Sequence, residues 1–72
     1  MAPNRVTRAT ARDYAKTHSK EALRVQVALY REQVKSLNRA KANASEEEVR
    51  RLCERIADTR ELLRAFEKEA AQ

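Results

Sequence analysis

Leu23, Val27, Tyr30, Val34 and Leu37 recur at alternating steps of four and three. That spacing gathers them into one apolar stripe along a helix, at heptad period. Further on, Val49, Leu52, Ile56, Thr59, Leu63, Phe66 and Ala70 step in the same way. The two series are out of phase. Continued past Leu37, the first reaches Lys41, Ala44, Glu48 and Arg51, one residue away from the second, so an unbroken rod has to shift its seam there.

The segment Ala42-Asn43-Ala44-Ser45 accounts for the slip as a turn. Ser45 followed three residues later by Glu48 is the pattern of a capping box, in which a hydroxyl caps the third helical amide. Glu46, Glu47 and Glu48 put negative charge in the first turn, at the positive end of the helix dipole. Asn43 is the residue expected to take the left-handed conformation that closes the preceding helix. The pattern predicts an all-α chain, an antiparallel two-helix hairpin over 16–72. Helix one runs to about 42, the turn occupies 43–45 and helix two covers 46–71. A continuous coiled coil is the alternative.

Folding back at residues 43 and 44 sets Leu37 against Val49 and Leu52, Tyr30 against Ile56 and Leu23 against Leu63. A second helix of about 26 residues is roughly 39 Å long and runs out opposite residue 16. Residues 1–15 are therefore expected to overhang as a basic N-terminal segment, helical or partly ordered.

Helix one carries a second stripe, Ala11, Tyr14, His18, Ala22, Val25 and Leu29. Its centre lies about 130° around the helix from the Leu23–Leu37 stripe, so one partner helix cannot cover both. Tyr14, His18, Ala22, Val25 and Leu29 are thus the expected apolar face for a partner or a second copy. The hairpin is expected to assemble into a four-helix bundle or to pack on a partner. A wide core stripe that leaves Val25 and Leu29 partly exposed is the plainer alternative.

Charge sharpens the picture. The net charge is +5, and residues 1–20 hold five basic groups against one acidic one. Residues 45–72 are the acidic part, with eight acidic groups against six basic. Arg8, Arg12, Lys16, Lys20 and Arg24 follow one another at i+4 and form one ridge on a helix, which Arg5 extends by a turn. Such a ridge suits phosphates or an acidic protein surface. No base-reading motif accompanies it. The basic start followed by heptads superficially resembles a basic zipper, but the seam breaks at the turn and no major-groove pattern is present.

The composition limits the chemistry. There is no glycine, one proline, one cysteine and one histidine in 72 residues. Gly-rich phosphate loops are excluded, no disulfide can close within the chain, and Cys53 with His18 is too small a set for a structural metal site. No nucleophile has an adjacent base, so no catalytic residues, metal or cofactor are assigned, and the chain is expected not to be an enzyme. The start lacks the apolar run of a signal peptide and no stretch is long enough to span a membrane, which points to a cytoplasmic location. A chain this short buries little, so a homo-oligomer or a bound partner is expected. The reading is a small helical interaction module, an adaptor, inhibitor or assembly subunit, docking on a larger protein or complex through the apolar face of helix one and the basic ridge. An accessory nucleic-acid-binding protein, touching DNA or RNA phosphates non-specifically through the same ridge, is the alternative.

Overall fold

The computed structural model describes residues 5–72, with side chains from Val6 onward. It is all-α: 93% helical, with three helices and no strand among the described residues. In chain order these are α1 (Arg5–Thr17), α2 (Lys20–Ala40) and α3 (Glu46–Ala71), with a short 3₁₀ turn, Lys41–Asn43, after α2.

The turn before α3 forms where Ser45 directs it. The Ser45 hydroxyl accepts a hydrogen bond from the Glu48 amide at 3.3 Å, and the Ser45 carbonyl accepts from Val49 at 2.8 Å. Asn43 does not take the expected left-handed conformation, since no described residue has a positive φ. Instead the end of α2 tightens into the 3₁₀ turn, and Ala44 donates to the Lys41 carbonyl at 3.3 Å. Tightening satisfies terminal carbonyls without the steric penalty that a side chain meets at positive φ.

The single first helix expected from the overhang into the hairpin is broken. The chain leaves helix at His18 and Ser19 and starts again at Lys20. Ser19 sits at φ −73°, ψ 165° as the N-cap of α2, its hydroxyl accepting from the Ala22 amide at 3.2 Å. Glu21 adds an acidic group to that first turn. On the other side of the break, Thr17 Oγ1 donates within reach of the Asp13 and Tyr14 carbonyls, and His18 Nδ1 lies 3.0 Å from the Tyr14 carbonyl. Side chains thus serve both helix ends, so the break leaves few orphan groups. Ser19→Ala should lower stability by about 1 kcal/mol in a denaturant titration. An unchanged midpoint would show that the cap does not hold the break.

The break lets α1 fold onto α3 instead of extending past it. Thr7, Ala11, Tyr14 and Ala15 are the half-buried or buried positions of α1, an i, i+4, i+7, i+8 set on one face. Ala11 is 1% exposed and joins Leu23, Val27 and Phe66 in the main core cluster, with Leu62, Leu63, Ala65, Tyr14 and Tyr30 packed around it. Phe66 is the centre of that cluster: the Tyr14 ring meets it edge-on at 5.3 Å and the Tyr30 ring lies 5.4 Å away. Leu37 and Ile56 are buried in the half nearer the turn.

α2 and α3 lie side by side in opposite directions, with the Lys20 ammonium at the start of α2 donating to the Glu69 carbonyl at 2.9 Å and to that of Gln72. Tyr30, expected opposite Ile56, contacts Phe66, and Arg31 pairs with Glu67 at 2.7 Å. The offset follows from side-chain direction. Helical side chains lean toward the N-terminus of their own helix. On α2 that is away from the turn and on α3 toward it, so long side chains meet from Cα positions that are well out of register.

Candidate functional site

α1 is amphipathic in charge as well as in hydropathy. At 100° per residue Arg8, Arg12 and Lys16 fall within an arc of about 80°, beside the Ala11–Ala15 edge that contacts α3. All three are exposed. The ion pairs among the described residues lie elsewhere: Arg31–Glu67, Lys35–Glu32 and Arg51–Glu47. Where α1 meets α3, Arg8 and Arg12 border a shallow depression with Ala65, Lys68 and Glu69. The arrangement gathers three cations against one carboxylate, with Lys16 a turn further along.

Lys68 has no place in the expected ridge, because only the folding of α1 onto α3 brings it to Arg8 and Arg12. No sequence spacing carries that signal. Arg5 begins α1, but its side chain lies outside the described residues. The other expected members are divided from the set by the break. Lys20 is exposed, yet its ammonium holds the last carbonyls of α3, a favourable position for a cation at the negative end of a helix dipole. Arg24 lies instead on a groove between α2 and α3, with Val27, Ala28, Arg31, Glu67, Ala70 and Ala71. The i+4 row of five is therefore a basic face of three on α1, joined by Lys68, with Arg24 on separate ground.

The break also divides the second apolar stripe. Ala11 and Tyr14 face inward on α1 and supply core. Tyr14 is half-buried; its ring stacks on His18 at 3.7 Å and 2° on one side and meets Phe66 edge-on, while its hydroxyl accepts from Gln26 Nε2 at 3.5 Å. His18 is exposed at the break, within 2.8 Å of Thr17 Oγ1, and acts there as a helix terminator. Ala22 is half-buried, while Val25 and Leu29 are each 57% exposed. Of the expected apolar face, only Val25 and Leu29 remain large, open and adjacent, one turn apart on α2.

The aromatic rings decide what the surface can recognise. Tyr14, Tyr30 and Phe66 are the chain's only tyrosine and phenylalanine residues; both tyrosine rings, half-buried, pack on the buried ring of Phe66. None of these three stands fully open as a platform for a base or as the large anchor usual at the centre of a protein interface; the exposed ring is that of His18, stacked on Tyr14. Cys53 is exposed on α3, and among the described residues no group of three or more His, Cys, Asp or Glu is placed to hold a metal ion. No described helix is long and apolar enough to cross a membrane. Comparison with protein-family models, with curated proteins and with solved structures finds no match to this chain.

Proposed function

We propose that the chain is a non-enzymatic interaction module of a nucleoprotein assembly, in which α2 and α3 form a helical hairpin that carries α1 and presents its basic face to phosphates. The observation that carries this reading is the exposed set Arg8, Arg12 and Lys16, without ion-pair partners among the described residues, on a helix whose adjoining face is fixed against the Phe66 cluster. Two of the three are arginines, whose planar forks match phosphate oxygens two at a time. Fixing the helix orients these charges before binding, so less ordering entropy is lost when the ligand arrives. With Tyr14, Tyr30 and Phe66 engaged in the core cluster, the charges of α1 address the phosphate backbone and not base identity.

The test is fluorescence anisotropy with a single-stranded RNA, a DNA duplex and poly-glutamate over a salt series. Three phosphate contacts on duplex DNA give a slope of about −2 to −3 in log affinity against log salt. Arg12→Glu should weaken binding about tenfold, by a similar factor on unrelated sequences. No binding at low salt, or affinity indifferent to Arg12→Glu, would overturn the reading.

A second reading gives the same face an acidic protein surface as its ligand, with the chain as adaptor or inhibitor. The exposure of Val25 and Leu29, an apolar contact that a protein partner can cover, favours it. Tight binding to poly-glutamate with none to nucleic acid would select it.

A further inference from the structure

From the outer face of α2 we infer that the chain pairs with a second copy of itself, α2 against α2 in antiparallel orientation, about a two-fold axis beside Ala28. Val25 and Leu29 lie on the side of α2 away from the buried Leu23, Val27 and Leu37, while Arg24 and Ala28 border the groove toward α3, so the contact covers the outer edge of that groove and shares no buried residue with the first copy. The accessible surface is 5584 Å², about 1,000 Å² above the roughly 4,600 Å² of a compact monomer of this mass. An ordinary interface takes about 800 Å² from each partner, so surface of that order is available.

Charge selects the occupant and its direction. Beside Val25 and Leu29 one flank of α2 reads Glu21, Arg24, Ala28, Glu32 and Lys35, all exposed. Reversed, the same flank reads as its own complement. With Ala28 opposite Ala28 of the other copy, Glu21 faces Lys35 and Arg24 faces Glu32, each pair occurring twice. In the same register Val25 and Leu29 of one copy come level with Arg31 and Val27 of the other, so Val25 and the other copy's Leu29 are two residues, about 3 Å, out of level across the axis. Ala28, with the smallest side chain of the flank, lets the helices approach at the axis. A parallel pair would place Arg24 on Arg24 and Lys35 on Lys35, and like charges directly opposed disfavour it. A two-fold interface must be self-complementary, and this face is. The inference does not rest on the basic face of α1. It commits Val25 and Leu29 to a contact between copies, and the resulting dimer carries two α1 faces, so a polyanion long enough to reach both is held by two sites at once.

The experiment is sedimentation equilibrium of the full chain over a wide concentration range, with Cys53→Ser as the reference background. A contact of one helix face is expected to dissociate in the range of about 10 to 100 μM. Leu29→Asp and Val25→Asp should each weaken it at least about tenfold, with helical circular dichroism unchanged because both sites are exposed. Glu21→Lys alone and Lys35→Glu alone should each weaken it about three- to tenfold, and the two together in one chain should restore it to within about twofold. A28C should form a disulfide-linked dimer under mild oxidation, because residue 28 meets its own copy at the axis. A monomer at about 500 μM, a concentration well above the expected dissociation constant, overturns the proposal. So does a dimer indifferent to Leu29→Asp, or one in which Glu21→Lys and Lys35→Glu fail to rescue each other. Anion binding by a strictly monomeric chain would remove this inference and leave the reading of the α1 face standing.

Discussion

Phe66→Ala should remove a large part of the chain's folding stability and lower its melting temperature by more than about ten degrees. Phe66 is 2% exposed, Tyr14 of α1 and Tyr30 of α2 both set their rings on it, and it shares the core cluster with Ala11 of α1 and Leu23 and Val27 of α2. Removing a buried phenylalanine ring costs about 3 to 5 kcal/mol, through lost burial and the cavity left behind. A chain of 72 residues has only about 4 to 10 kcal/mol in total. Little compensates. Arg31–Glu67, the ion pair that ties α2 to α3 among the described residues, has side chains 58% and 40% exposed and is worth a fraction of a kcal/mol at most. Among the described residues six apolar side chains are buried, and one of them is an alanine. A thermal melt followed by circular dichroism checks this, and a melting temperature within a few degrees of the parent would show that the core does not centre on Phe66. Leu37→Ala, in the half nearer the turn, should be milder, since Leu37 lies outside the cluster around Phe66.

The parts of this fold legible in the sequence are those written locally. The apolar stripes of α2 and α3 are read from spacing alone, and Ser45 announces the start of α3 because Glu48 and two further glutamates follow it. The break at His18 and Ser19 has no such announcement. No glycine or proline stands there, and three residues after Ser19 comes Ala22 in place of a glutamate. Only the run Thr17-His18-Ser19, three polar residues of modest helix propensity, hints at it. Missing the break has one consequence after another. α1 reads as an overhang, its core-facing Ala11 and Tyr14 read as one end of an open apolar stripe, and Lys20 reads as part of a continuous basic ridge. Each of these follows from chain reversal, a property of how α1 and α3 pack and not of any one segment's pattern. The basic residues of α1 stay legible because they sit within one helix; Lys68 does not, because its nearness to Arg8 and Arg12 is made by tertiary contact.

Ala11 is the smallest member of the core cluster, and its replacement should separate the docking of α1 from the folding of the rest. At 1% exposure between Leu23, Val27 and Phe66, it has room for a methyl group and for no polar atom. Ala11→Asp would bury a carboxylate without a partner, at a penalty of several kcal/mol, and the cheaper response is for α1 to leave α3. Ala11→Asn removes the complication of added charge and should act in the same direction. With α1 undocked, the peptide bonds after Arg8, Arg12 and Lys16 become available, and trypsin should cut there about ten to a hundred times faster than in the parent chain. α2 and α3 keep the contacts of Tyr30 with Phe66 and of Lys20 with the end of α3, so the remaining helical signal should persist. The affinity for nucleic acid should fall about three- to tenfold in Ala11→Asn although no cationic group has been removed, because the three charges must then be ordered on binding. Faster cleavage with unchanged affinity would mean that the charges alone suffice and that their fixed presentation on α1 contributes nothing. Unchanged cleavage would mean that Ala11 does not hold α1 on α3 at all.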